Sequence, residues 1–157
     1  MTTQHLNAVV TRAFVAVTVG LSSLQLVGCN QGISDKNLKY VPLLEVDQLL
    51  HPQGSLFHAP VAGIWVDPRL AKSYEEGHIP GALNIPFPEM LNAAKQELGE
   101  GKYGAIIVYD TNYDDILGKA GAKRLMEMGF KEVYNLQGGL EAWKQAGHPV
   151  VTGPNPN

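Results

Sequence analysis

The sequence predicts an α/β fold, a five-stranded, mostly parallel sheet with helices on both faces. Two observations carry that reading. Five short apolar runs alternate with helical stretches along the chain, as in strands joined by helical crossovers. The clearest run, 105–109 (AIIVY), holds no charge, as a strand covered on both faces requires.

The elements follow in order. Residues 39–44 (KYVPLL) form a strand candidate, and 46–50 a short helix with Asp47 as its early acid and His51-Pro52 as its stop. Residues 52–60 read as loop. The apolar run 61–66 (VAGIWV) halts at Asp67-Pro68 and reads as a buried strand. A helix is expected over 70–76, closed by Gly77, and a strand over 82–85 before Pro86. The amphipathic stretch 89–98 ends at Gly99. After the central strand 105–109 come a polar loop, 110–115, and a helix, 118–128, stopped by Gly129. A strand over 132–136, the pair Gly138-Gly139, and a helix over 140–145 complete the pattern. The expected core comprises Val61, Ile64, Val66, Ile106, Ile107, Val108, Leu125, Val133 and Leu136. Ligands of such sheets sit beyond the carboxyl ends of the strands, so the loop after Tyr109 is the first place to look.

Composition narrows the function classes. Twelve Lys and Arg face fifteen Asp and Glu with no basic block, so no nucleic-acid partner is expected. A net charge of −3 with 45% hydrophobic residues argues against extended disorder. The one cysteine excludes an internal disulfide and a multi-thiolate zinc site. No cofactor is expected.

Residues 1–28 contain no acid and one formal cation, Arg12. They read AFVAVTV, then GLSSLQ, then Leu26-Val27-Gly28-Cys29. That is a weakly basic start, a short apolar region and a small-residue exit, the pattern of an export signal. The apolar region is too short for a stable transmembrane helix. Leu26-Val27-Gly28-Cys29 resembles the bacterial lipoprotein box, which implies acylation of Cys29 and cleavage before it. Asn30, rather than Asp, follows the cysteine. By analogy with enteric bacteria this favours the periplasmic face of the outer membrane. The expected organisation is therefore a signal peptide (1–28), a polar tether (29–38), a folded domain (39–151) and a frayed tail (152–157).

Three stretches of that domain carry a family resemblance. The first is Val66-Asp67-Pro68-Arg69 with Tyr74-Glu75-Glu76-Gly77-His78-Ile79-Pro80-Gly81-Ala82 and Asn84-Ile85-Pro86. The second is Ile106-Ile107-Val108-Tyr109 with its loop and helix. The third is Met128-Gly129-Phe130, then Val133 to Trp143 and Ala146-Gly147-His148-Pro149-Val150. Together they resemble the rhodanese-like domain in order and spacing over about residues 40–151.

Read locally, most of these residues are structural. Gly77 and Gly81 bracket a turn that calls for positive φ or close approach. His78 could be a metal ligand, but no partner stands at ligand spacing, so a backbone-bonding role is favoured. Asp67 and Arg69 could be catalytic, although a turn-capping Asp and an ion pair, Arg69 with Glu75 or Glu76, are favoured. Gly138-Gly139 lacks a nucleotide-binding fingerprint and reads as a tight strand-to-helix turn. Trp143 reads as a core residue of the last helix.

The resemblance also exposes a departure. Active members carry a cysteine after the central strand, in a loop whose N–H groups and helix N-terminus steady a persulfide. Asp110 stands there in this chain, as in the inactive domain of tandem rhodaneses. The loop Asp110-Thr111-Asn112-Tyr113-Asp114-Asp115 has three acids and no base, and the resemblance implies an Asp110-to-Gly129 spacing about two residues longer than in short-loop members, an insertion in the loop or at the helix start. A catalytically inactive envelope module that binds a protein or small-molecule partner is the leading expectation. The alternatives are a sulfurtransferase working with an external thiol, or a hydrolase or phosphotransferase using Asp110 as nucleophile, with Asp114 and Asp115 coordinating a cation.

Overall fold

The structure, a computed structural model, describes residues 32–54 and 59–154. The leader, Cys29 with the first residues of the expected tether (29–31), part of the loop 52–60, and the last three residues lie outside them. Five strands form one parallel sheet in the order β1-β5-β4-β2-β3. They are β1 (Lys39–Val41), β2 (Ile64–Asp67), β3 (Leu83–Asn84), β4 (Ile106–Val108) and β5 (Val133–Leu136). Five helices alternate with them: α1 (Leu43–Leu50), α2 (Ala71–Glu76), α3 (Met90–Leu98), α4 (Leu117–Glu127) and α5 (Gly139–Gln145). The predicted α/β class with five strands and helices on both faces is what is observed.

Strand β4 explains why the central run is apolar throughout. Ile106 and Val108 pack with Met90, Ala94 and Leu98 of α3 and Ala122 and Leu125 of α4. Ile107 and Tyr109 face the other way, toward Val46 of α1, Tyr74 of α2 and Leu140 of α5. Alternate residues of one strand thus serve two cores, which is the demand of a doubly covered sheet. Full burial of Ile107 contributes ~1.5–3 kcal/mol. In α3 the buried Met90, Ala94 and Leu98 recur every four residues, one face of a helix. Gly99 ends that helix at φ +56°.

Several sequence expectations need correction. The first strand ends at Val41, not at residue 44, because Pro42 has no N–H for a ladder and instead opens α1. Glu45 therefore occupies the first turn of α1, and Asp47, further along, meets the ring of His51 at 3.0 Å. Val61, expected in the core, is 47% exposed. It precedes β2, whose pairing with β4 starts at Ile64, and Ile64 itself is only half-buried. The end of the expected tether is held down: Asn37 Oδ1 accepts from Ser34 N–H, Asp35 pairs with Lys123 at 2.6 Å, and Leu38 joins the core. At the other terminus Gly153 N–H still donates to the Glu75 carbonyl.

Candidate functional site

Asp110 stands two residues beyond β4, after the buried Tyr109; the start of α4 bonds its side chain and the start of α5 bonds its backbone carbonyl. Gly118 N–H, in the first turn of α4, donates to Asp110 Oδ2 at 3.0 Å. Leu140 N–H, in the first turn of α5, donates to the Asp110 carbonyl at 2.8 Å, and Glu141 N–H to that of Thr111 at 2.9 Å. Asp110 is left 3% exposed. Two glycines permit this approach. A Cβ on Gly118 would lie 2.5 Å from Asn135 Nδ2 and 2.9 Å from Asp110 Oδ2. A Cβ on Gly139, at φ +57°, would lie 2.5 Å from the Asp110 carbonyl oxygen. The pair Gly138-Gly139 is the expected strand-to-helix turn, and it also clears room for Asp110.

The loop satisfies its own amides. Asn112 Oδ1 accepts from Asp114 N–H and Asp115 N–H at 2.9 and 3.2 Å. Asp115 Oδ1 accepts from Leu117 N–H at 3.1 Å. With Gly118 bonded to Asp110, the positive end of α4 already meets two carboxylates of this chain. Burial pushes the Asp110 carboxyl up to about 6, and the nearby Asp115 charge adds to that, while the Gly118 N–H and the Lys119 cation oppose it. The other Asp110 oxygen, Oδ1, lies over Gly139; the residue's own backbone N–H also favours the ionised form, and among the described residues no buried side-chain polar atom lacks a hydrogen-bond partner.

The loop residues do not act as one cluster. Asp110, Asn112, Tyr113 and Asp115 line a cavity of about 240 Å³ with Tyr40, Lys119 and Asn135. Thr111 lines a separate cavity of about 400 Å³, beside Arg69, Glu141 and Lys144. Asp114 is exposed and lines neither. The expected joint action of three acids therefore reduces to Asp110 and Asp115. Among the described residues no three His, Cys, Asp or Glu side chains are grouped to hold a metal ion. A larger cavity, about 570 Å³, lies at the opposite end of the sheet, around the amino ends of β4 and β5. Lys95, Glu100, Lys131 and Glu132 line it, and none of the predicted site residues does.

Sequence reasoning missed Tyr40, Lys119 and Asn135. Register aligns Tyr40, Asn135 and Val108 across β1, β5 and β4. Asn135 is buried and donates from Nδ2 to the Val108 carbonyl at 3.2 Å. An Asn inside the otherwise apolar strand VYNL was an available signal, since buried amides are rare without a partner.

The remaining predicted residues form a scaffold beneath the site. Asp67 pairs with Arg69 and not through Glu75 or Glu76 as expected. Its Oδ1 accepts Arg69 N–H at 2.9 Å, and its Oδ2 meets Arg69 Nη2 at 2.6 Å. The tight turn after β2 folds the guanidinium back onto the strand end, whereas Glu75 and Glu76 stay exposed. Arg69 Nη2 also donates to the Gly77 carbonyl at 2.8 Å. Gly77 is extended, and its Cβ would press on Val150 at 3.1 Å; Gly81 has φ +76°. His78 is buried, stacks on Tyr74 at 3.6 Å and bonds the Tyr74 carbonyl through Nδ1 at 2.9 Å. Trp143 is half-buried, covering the core rather than filling it. It meets Trp65 edge-on at 5.6 Å and donates to the Pro149 carbonyl at 2.7 Å.

Comparison with known proteins agrees with this architecture. The family model for the rhodanese-like domain matches residues 45–146. Thiosulfate sulfurtransferase GlpE of Coxiella burnetii is 42% identical over 86 residues, covering 54% of this chain and 73% of that protein. The crystal structure of the BH2092 protein from Bacillus halodurans superposes with TM-score 0.59 at 27% identity, over 74% of this chain and 79% of that one. A thiosulfate sulfurtransferase from Pseudomonas aeruginosa, 20% identical, shares the fold at TM-score 0.60 over 76% of this chain and 21% of its own. On the family match, the sheet order and the helices that cover both faces, the chain belongs to the rhodanese-like domain family.

Proposed function

We propose that this rhodanese-like domain is catalytically inactive and serves as a partner- or ligand-binding module at the Asp110 loop. The observation that carries the reading is Asp110 itself. The resemblance assigns that position to the nucleophilic cysteine of active members. A carboxylate accepts the Gly118 N–H there, but it has no sulfur to form a persulfide. The only cysteine of the chain is Cys29, which the lipoprotein reading consumes as an acyl acceptor. The test is sulfur transfer from thiosulfate to cyanide by the purified protein. Background rates are expected. Turnover that survives Cys29→Ser would overturn the reading.

The same proposal places the protein in the bacterial cell envelope, lipid-anchored through Cys29 at the periplasmic face of the outer membrane. Its support is the leader and the lipoprotein box. Multiple acyl chains would hold firmly, since each buried CH₂ contributes ~0.8 kcal/mol. Labelled palmitate should enter the wild type and not Cys29→Ser, and soluble unlabelled wild-type protein would refute the anchor. A second reading, sulfur transfer with a thiol supplied by another molecule, is favoured by the likeness to GlpE. It predicts transfer that appears only when an external thiol is added.

A further inference from the structure

We propose that the cavity at the amino end of the sheet binds a small amphipathic carboxylate of the medium-chain fatty acid class. The site is separate from the Asp110 loop and goes beyond the reading of that loop.

Its walls come from three elements. Leu98 ends α3, Ile106 opens β4, and Met128 and Phe130 follow α4; with Tyr103 they line a cavity of about 570 Å³. That volume is in the range of small-molecule sites, and an apolar floor with few polar groups is their usual composition. Leu98 and Ile106 are buried, whereas Tyr103, Met128 and Phe130 pack on the core but stay half-buried. Three large side chains thus leave apolar surface in a concave site, where the apolar body of a ligand would remove it from water. Met128 adds an unbranched thioether that adapts to a flexible chain.

Charge selects the polar end. Lys95, Lys131, Glu100 and Glu132 line the same cavity. The Glu132 carboxylate is taken up by Lys39 Nζ at 2.9 Å and by the Tyr134 hydroxyl at 2.7 Å. Glu132 stands at φ +31°, a strained value for a residue with a side chain, and these two partners fix it there. Among the described residues neither Lys95 nor Lys131 makes an ion pair. Two ammonium groups therefore face the one uncompensated carboxylate of Glu100, and a ligand with a single negative charge completes the balance.

A carboxylate suits the site better than a phosphate. Phosphate cradles use free backbone N–H groups. Here the N–H groups of Gly99, Gly104, Gly129 and Phe130 already donate to carbonyls of the chain. The anion must be held by side chains, and the lysines are the donors present. No three ligating side chains are grouped for a metal ion among the described residues.

The experiment uses the full chain in phosphatidylcholine nanodiscs, with methyl resonances followed by NMR. The probes are octanoate, hexanoate, octanol and octylamine at neutral pH. Octanoate should saturate shifts at Leu98, Ile106 and Met128 and leave Leu140, at the other end of the sheet, unmoved. Hexanoate should bind about 15-fold more weakly, the loss of two buried CH₂ groups. Octanol should bind ~10-fold more weakly, the loss of a charged hydrogen bond, and octylamine should not saturate. Lys95→Gln combined with Lys131→Gln should weaken octanoate ~10-fold and leave octanol unchanged. Met128→Trp, which fills the floor, should abolish octanoate binding while thermal unfolding remains cooperative. Both lysines are exposed, so the charge test does not depend on the folding of the Trp variant.

No saturable octanoate binding, equal shifts at Leu140, or hexanoate binding as tightly as octanoate would overturn the site. Octanol or octylamine matching octanoate, or indifference to the two lysine substitutions, would overturn the carboxylate class. Sulfur transfer, if found, would overturn the reading of the Asp110 loop and leave this site standing.

Discussion

Two carboxylates end neighbouring strands of the sheet, and they are treated in opposite ways. Asp67, at the end of β2, is fully buried and holds Arg69 through the backbone N–H, Nε and Nη2. Asp110, just beyond β4, is almost as buried but receives one neighbouring N–H, from Gly118. The first charge is neutralised within the chain and fixes the turn that leads into α2. The second is held in place without a counter-ion. A buried charge with a counter-ion is compensated; a buried charge without one costs stability, and that cost is what separates Asp110 from Asp67.

The contrast can be broken most severely at Asp67. Asp67→Ala leaves the buried Arg69 guanidinium without its anion and should destabilise the fold by ~3–5 kcal/mol, read from urea unfolding. A loss below 1 kcal/mol would mean that Gly77 and water suffice for Arg69.

Asp110→Asn should act with the opposite sign. The folded-state pKa of about 6 lies above the ordinary 3.8. Between those values the native state binds more protons than the unfolded one, so stability falls as pH rises through that window. The ionised form is then disfavoured by of order 2–3 kcal/mol above pH 6. Asn does not titrate. Its advantage over the wild type should be absent below pH 4, grow between pH 4 and 6, and level off above. A variant less stable than the wild type at pH 7 would contradict the unpaired state of Asp110.

Gly139→Ala tests the space around Asp110. It puts a Cβ 2.5 Å from the Asp110 carbonyl oxygen at a left-handed φ, and should cost ~1–3 kcal/mol.

The smallest expected effect is chemical. In a Cys29→Ser background, Asp110→Cys should give a thiol that reacts slowly with thiosulfate, because Asp115 raises its pKa and repels the anion. Adding Asp115→Asn should lower that pKa more than adding Asp114→Asn, because only Asp115 lines the cavity. The pH dependence of alkylation measures both. Equal effects would show that the loop acts as one acidic cluster.

How much of this was legible in the sequence follows from the range of each signal. The glycine stops after α3 and α4 and the uncharged run of β4 are local, and they located those elements within a residue or two. Pro42 misled because a proline is compatible with both a strand end and a helix start. Val61 misled because an apolar run does not say where pairing begins. The position of Asp110 was legible through motif order. The composition of its cavity was not: Asn135 reaches it because β5 pairs with β4, and Tyr40 because β1 pairs with β5. The Arg69 partner was misassigned for a related reason. An i, i+2 ion pair needs a tight turn that the sequence does not announce, and the acids of the following helix, Glu75 and Glu76, were the partners in view.

The most direct test is the titration of the Asp110 side-chain carboxyl, followed by ¹³C NMR and assigned by its loss in Asp110→Asn. In the free protein a midpoint near 6 is expected. A midpoint near 4 or below in the free protein would contradict the central contrast: Asp110 would then be as well compensated as an ordinary carboxylate.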